Sequence, residues 1–381
     1  MALIRSQVLV VGAGPAGCAA GIMLARAGLD VCVVDRARFP RPKACGDAVS
    51  NRAVRVVETL LGSRSALDAL PHASVHGAAV VFPDGEQVTR SYNDPGRIIP
   101  RERLDAALWQ ALDAAGAHLV DGVAVRELER DETGGSIVGA LADGRRWRAD
   151  AVIAADGPGS VGLRAIGAAP PRSRRLGVAA TAYLTSGGSP VGVNLRHLDP
   201  ELPCGYGWLF PAVEGLANVG VYQRFDHSRR QGVPLRRRFD RFLGRQGLDR
   251  GAIVGGVRVW ALPLCASAVP PAAPGLLLCG DAAGLVDPLS GEGIWQALHS
   301  GTLAARIAIA ALATSEGLSL RWAHRYQRLC AREIGVPSML RWGVQAMVDQ
   351  VVRRRLYTVP VVRGMLGWGY RRGSLEISKR P

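Results

Sequence analysis

The chain is punctuated by short apolar runs that break off at glycine or aspartate. Gln7–Val11 reads Gln-Val-Leu-Val-Val, continuous and mostly β-branched, the pattern of a strand buried on both faces. Gly12-Ala-Gly14-Pro-Ala16-Gly17 follows at once. Cys18–Ala27 then predicts a small-residue helix stopping at Gly28, and a second strand, Asp30–Val34, ends in Asp35. The rhythm recurs twice: Val152-Ile-Ala-Ala runs into Asp156-Gly-Pro-Gly-Ser160, and Leu276-Leu-Leu-Cys runs into Gly280-Asp281-Ala-Ala-Gly284. Elsewhere the period shortens to two. Tyr206, Trp208 and Phe210 alternate along one predicted strand and so share a face. Ala78–Phe82 and Val219–Gln223 are further strand-like runs. Beyond about residue 316 the period is helical, with Val348, Val351, Val352 and Leu356 set against Arg353, Arg354 and Arg355 as a candidate amphipathic face.

These patterns predict an α/β domain assembled from separated segments, about 1–70, 98–170 and 260–315. An α+β lobe on an antiparallel sheet would take about 71–97 and 171–259, and a helical basic region 316–381. The 381 residues suffice for two lobes. No apolar run is long enough to span a bilayer, and Met1-Ala-Leu-Ile-Arg-Ser-Gln is no signal peptide. Seven cysteines without a CxxC pair argue for reduced thiols, a cytoplasmic location and no metal site. The net charge is +15; from Arg321 onward thirteen Arg or Lys face three acids, a local +10. No nucleic-acid motif accompanies it, so nucleic acid is not an expected partner. A solvated face, or peripheral attachment to an anionic inner-membrane surface, remains open.

Strand, GxGxxG, helix, strand and acid together form a dinucleotide fingerprint. Gly12 permits the turn, Gly14 lets backbone approach a pyrophosphate, and Gly17 allows close helix–strand contact. The helix N-terminus favours the phosphates, and Asp35, 18 residues past Gly17, suits ribose hydroxyls. Asp156 and Asp281 end strands where open α/β sheets bind ligands. Pro288-Leu-Ser-Gly291-Glu-Gly293-Ile294 opens another helix N-terminus able to face an anion or a reduced flavin.

In this order the motifs resemble the FAD-dependent, hydroxylase-like flavoprotein superfamily. The resemblance implies a Rossmann-type FAD domain of the aromatic-hydroxylase type. It implies that Asp281 binds the ribityl chain and that the Asp156 region supports the pyrophosphate. Arg101-Glu-Arg-Leu-Asp105 is similar to an element whose Arg sits near the cofactor. Arg164 falls one position later than that superfamily's usual Arg. Phe39-Pro-Arg-Pro-Lys43-Ala-Cys45-Gly46-Asp47 and Tyr206-Gly-Trp208-Leu-Phe210-Pro211 resemble the signatures of the geranylgeranyl reductase family. Tyr222 stands where that family usually has Gly. The implied cofactor set is Gly12, Gly14, Ala16, Gly17, Asp35, Cys45, Gly46, Arg101, Asp156, Asp281, Gly291, Gly293 and Ile294. Tyr206, Trp208, Phe210 and Tyr222 would meet an apolar small-molecule substrate, and Cys45, Tyr206 and Trp208 would serve catalysis. Lys43, one of two lysines, is either a surface charge or part of this loop's chemistry.

The resemblance implies reduction of carbon–carbon double bonds in an isoprenoid lipid, quinone or terpenoid. A flavin monooxygenase and a non-catalytic FAD module are the competing readings. With one dinucleotide fingerprint in the chain, electrons would come from transiently docked NADPH or NADH, or from a reduced carrier protein.

Overall fold

The computed structural model describes residues 3–131, 135–169, 171–185 and 191–372. Two sheets divide the described chain. In the first, Leu3–Val11 lies between Val31–Val34 and Arg146–Ala154, parallel to both. Leu276–Leu278 and His118–Val120 extend it in parallel on either side. Val8–Val11 are buried, as a strand with neighbours on both edges and cover on both faces must be. Helices Pro15–Arg26, Arg101–Ala114 and Ile294–Leu312 cover one face, and the antiparallel strands Val125–Arg130 and Ile137–Leu141 pack over Leu9 on the other. The first helix starts at Pro15, three residues before the expected Cys18, because proline at the first position forfeits an N–H that has no helical partner anyway.

The second sheet runs Ile253–Pro263, Leu176–Thr185, Leu216–Arg224, Gly205–Pro211, Val193–His197, Ala73–Val81, Gln87–Ile98, Ala48–Val49. It is antiparallel except where Val193–His197 meets Ala73–Val81. Ile253–Pro263 runs past the expected boundary at 259, and Ala48–Val49, expected in the first segment, pairs with Arg97 and Ile98 here. Alternation gives this sheet two cores. Ala180, Ala182, Val219 and Val221 pack under Phe239, Phe242 and Leu243 of helix Leu235–Arg245. Trp208, Phe210 and Tyr222 face the other way, with Val75, Ile98, Leu264 and Val286.

Three further helices, Leu320–Cys330, Val336–Arg353 and Pro360–Arg372, follow. The amphipathic face expected here is corrected. Val351 packs with Phe82, Val88 and Tyr357, and Val352 is also buried, so neither is free to enter a bilayer. Of the expected face only Leu356 is exposed; the longer exposed apolar stripes are Val336, Met339, Leu340, Val344 and Met347 on one helix and Val361, Met365 and Trp368 on the next, at helical spacing. No helix among the described residues is long and apolar enough to cross a membrane.

Helix Ile294–Leu312 packs tightly on helix Pro15–Arg26 at Gly301, where a Cβ would overlap the Ala16 carbonyl oxygen. Gly301→Ala is expected to cost about 1–3 kcal/mol by overpacking. Gly343→Ala, where a Cβ meets nothing within 4 Å, is expected to be neutral or to stabilise by up to about 1 kcal/mol. Urea unfolding of both variants checks the contrast.

Candidate active site

Between the sheets lies a cavity of about 2270 Å³. Cavities for one small molecule span roughly 300–1,000 Å³, so this one has room for a dinucleotide and a second molecule. All the site residues expected from the sequence line it except Gly17. Gly17 instead closes the turn, where a Cβ would overlap the Gly12 carbonyl oxygen.

At one end Gly12, with φ +94°, presses against Ala155, whose carbonyl oxygen would lie 2.5 Å from an added Cβ. A Cβ on Gly14 would point into open space, with only the Arg41 guanidinium 3.9 Å away. Helix Pro15–Arg26 therefore presents a bare N-terminus to the cavity. Helix Ile294–Leu312 does the same behind Gly293, with no side-chain cap, after Gly291 at φ +66°. Asp35 is fixed by the amides of Ala13 at 2.7 Å and Ala37 at 2.8 Å.

Three acids carry acceptors that no described residue uses. Asp156 takes the Val161 amide on Oδ2 at 2.6 Å, while its buried Oδ1 has no partner. Glu292 Oε1 is likewise buried and unpartnered. Asp281 lines the cavity from the turn Gly280–Ala283 and makes no side-chain hydrogen bond among the described residues. Burial pushes its carboxyl up, and Lys43 and Arg101 pull it back. Two bare helix N-termini and orphaned carboxylate oxygens match what FAD brings, a pyrophosphate and a polyhydroxylated chain.

Arg101 is buried and grips Asp105 with two bonds of 2.8 Å, while Arg41 reaches the same carboxylate at 3.2 Å. Two guanidiniums on one acid leave a net positive wall. Arg164 turns back onto the Gly159 carbonyl at 2.8 Å. Lys43 is no simple surface charge: its Nζ stands 3.4 Å from the Trp260 ring centre, and burial lowers its pKa to about 8.

The Cys45-Gly46-Asp47 loop spans the two lobes. Asp47 holds a left-handed φ of 58°. Its Oδ1 accepts from the Arg101 amide at 3.3 Å, and its Oδ2 accepts from Asn218 Nδ2 at 3.0 Å and from the Tyr183 hydroxyl. Asn218 Nδ2 also reaches the Cys45 carbonyl at 3.0 Å, and Asn218 Oδ1 accepts from Trp208 Nε1 at 2.9 Å. One amide thus ties the loop to the aromatic strand. The Trp208 and Phe210 rings lie against Gly46, where a Cβ would sit 3.4–3.6 Å from them. Gly220 seats Trp208, since a Cβ there would overlap its indole. Tyr206 and Tyr222 anchor their hydroxyls on the carbonyls of Ser290 and Pro288, with ring centres 5.5 Å apart. Burial pushes the Cys45 thiol up, so it keeps its proton. Asp47, Tyr183, Asn218 and Trp260 were not singled out from the sequence. The one available signal was Asp47 itself, directly after Cys-Gly.

The fold and this cavity define an FAD-dependent oxidoreductase. An FAD binding domain model matches residues 5–185. The chain is 35% identical over 353 residues to a menaquinone reductase of Mycolicibacterium smegmatis, covering 88% of this chain and 84% of that one. It is 32% identical over 320 residues to a digeranylgeranylglycerophospholipid reductase of Methanosphaerula palustris, covering 80% and 76%. The crystal structure of a geranylgeranyl bacteriochlorophyll reductase-like protein from Thermoplasma acidophilum superposes with a TM-score of 0.79 at 24% identity, covering 93% and 91%. The chain belongs to the geranylgeranyl reductase family of FAD-dependent oxidoreductases.

Burial raises the Asp47 carboxyl to about 6, against the hydrogen bonds from Tyr183, the Arg101 amide and Asn218 that lower it. The folded state therefore holds this proton more tightly than the unfolded chain does. Its contribution to stability is full below about pH 4 and is lost as pH rises to about 6, on the order of 2–3 kcal/mol. Asp47→Asn is expected to flatten that part of the profile, read as urea midpoints between pH 4 and 7.

Proposed function

We propose that the protein reduces carbon–carbon double bonds of an isoprenoid chain lying along Tyr206, Trp208 and Phe210. The observation that carries this reading is the aromatic wall bonded through Asn218 to the Cys45 loop, inside one cavity that also holds the dinucleotide turn. Bound FAD, once reduced, supplies the hydride. The chain's own residues hold FAD, orient the alkene and exclude water. Asp281 and Asp156 accept hydroxyl hydrogens, and the helices after Gly14 and Gly293 face the anionic parts. Cys45, a thiol that retains its proton beside Gly46, offers that proton to the second carbon. NADPH, NADH or a reduced carrier protein supplies the electrons.

Anaerobic mixing of reduced enzyme with geranylgeranyl compounds and with a prenylated quinone is expected to reoxidise the flavin. The product should be heavier by two hydrogens per reduced bond. Product carrying oxygen from labelled O₂ would point to a hydroxylase instead. Asp281→Ala is expected to lose FAD, since hydrogen bonds to a charged acceptor contribute about 1.5–3 kcal/mol each. Trp208→Ala is expected to lower turnover more than FAD content; equal loss of both would make Trp208 a cofactor or core residue.

The exposed stripe of Met339, Leu340, Val344 and Met347 reaches the cavity, which Leu340 and Arg341 line. Arg353, Arg354 and Arg355 are exposed at the end of the same helix. Apolar side chains beside exposed arginines fit an anionic membrane surface, from which a prenyl chain would enter. Co-sedimentation with anionic liposomes is expected to be weakened by high salt and by Leu340→Asp or Met365→Asp. Recovery in the supernatant under every condition would dismiss the attachment.

A further inference from the structure

Lys43 and Trp260 line the cavity and have no part in the chemistry above. Trp260 pairs across the ladder with Ala179, Ala179 with Tyr222, and Tyr222 with Tyr206. The four therefore stand in one row on the aromatic face of the second sheet, and all four line the cavity. The edge strand Ile253–Pro263 puts Trp260 at one end of that row. Lys43 comes from the loop that follows Val31–Val34 of the first sheet, two residues before Cys45. It lays its ammonium on the Trp260 ring, 3.4 Å from the centre. Gly291 meets the same row at Tyr222, whose ring would lie 3.5 Å from an added Cβ.

The groups expected around a flavin ring gather along this stretch of the cavity. Asp281 Oδ1 would lie 3.5 Å from a Cβ on Gly293, at the bare start of helix Ile294–Leu312. The Thr181 hydroxyl, two residues beyond Ala179 on the same face, donates to the Cys45 carbonyl at 3.4 Å. Lys43 faces the same groups: its titratable neighbours are Arg101, Asp281, Cys45 and Asp105. Among the described residues it makes no hydrogen bond and has no carboxylate within ion-pair distance. Burial lowers its pKa and Arg101 adds to that, against Asp281, Cys45 and Asp105; at about 8 the amine is still charged at neutral pH. Keeping an ammonium half-buried with an indole face as its one close partner costs free energy. A ring that turns negative on reduction would offset that cost.

We propose that Lys43, presented by Trp260, is the cationic contact of the isoalloxazine ring and sets its reduction potential. Two electrons and one proton leave the reduced ring with one negative charge. The ammonium balances that charge together with the start of helix Ile294–Leu312. Arg101 and Arg41 are committed to Asp105, whereas Lys43 is left to the ring. Trp260 is a positioning residue: it holds the ammonium over an indole, the aromatic face that attracts a cation most strongly. This role needs FAD in the cavity and does not depend on which substrate the reduced ring serves.

The test is sulfite titration of oxidised holoenzyme, followed as loss of flavin absorbance, together with the flavin midpoint potential from anaerobic reductive titration against a reference dye. Sulfite adds to the ring and leaves it negative, so it reports the same balance of charge. Lys43→Met is expected to weaken sulfite binding about ten- to a hundredfold. The potential should fall by about 30–60 mV, the same factor at about 30 mV per tenfold for two electrons. Lys43→Arg should retain most of both. Trp260→Leu should lose about threefold in sulfite affinity, because the ammonium remains but is no longer held. Flavin content and urea midpoints serve as folding checks. If Lys43→Met loses FAD, Lys43→Gln with FAD in excess and Trp260→Leu carry the test. Wild-type sulfite affinity and potential in Lys43→Met would overturn the proposal, and a loss of stability alone would make the pair a tie between the lobes. Equal losses in Lys43→Arg and Lys43→Met would trace the effect to shape and not to charge. Weaker sulfite binding with no shift in potential would mean that Lys43 only attracts the sulfite ion. Either of these results would also overturn it.

Discussion

The side-chain amide of Asn218 is the joint on which the site depends. It is 1% exposed, and both of its ends are used. Its NH₂ serves the Cys45 carbonyl and Asp47; its oxygen serves Trp208 and Thr181. Without the amide, the buried Trp208 Nε1 would lose the acceptor it has here, while Asp47, Thr181 and the Cys45 carbonyl would keep only their remaining bonds to Tyr183, the Arg101 amide, Val219 and one another. The amide therefore sets the spacing between a loop of the flavin lobe and the aromatic strand of the other lobe. Asp47 adds to the constraint: its left-handed backbone is an uncommon conformation for aspartate, and it is held by Tyr183, Asn218 and the Arg101 amide.

Around that joint the cavity is sorted by charge. Orphaned acceptors, at Asp156, Glu292 and Asp281, gather with two helix N-termini where hydroxyls and phosphates would lie. Arg196 and Arg90, with no carboxylate within ion-pair distance among the described residues, line the cavity on the other side of the aromatic strand. Between them Tyr206, Trp208, Phe210 and Tyr222 form an apolar span whose polar tips are all satisfied. Such sorting suits a substrate that is apolar along most of its length.

The parts that were legible in the sequence are local. Gly12, Gly14 and Gly17 constrain a turn within six residues, and Tyr206, Trp208 and Phe210 share a face through a period of two. The missed parts are long-range. Asn218 and Asp47 are 171 residues apart, and no spacing rule joins them. Arg196 looks like any strand arginine in a chain rich in arginine, and nothing in its spacing places it in the cavity. The tail shows the same division. Helical periodicity was visible, but which stripe is covered depended on Phe82 and Val88, hundreds of residues earlier in the chain, so Val351 went inward and Leu340 outward.

A double-mutant cycle on Asn218 and Trp208 tests the central claim most directly. Asn218→Ala removes the amide, and Trp208→Phe removes the indole N–H while keeping an aromatic ring. Turnover and flavin content would be measured for both single variants and the pair. If the amide positions Trp208, each single change lowers turnover with FAD retained, and the second change adds little to the first, leaving a coupling of about 0.5–3 kcal/mol. Additive losses, or turnover in Asn218→Ala equal to wild type, would contradict it.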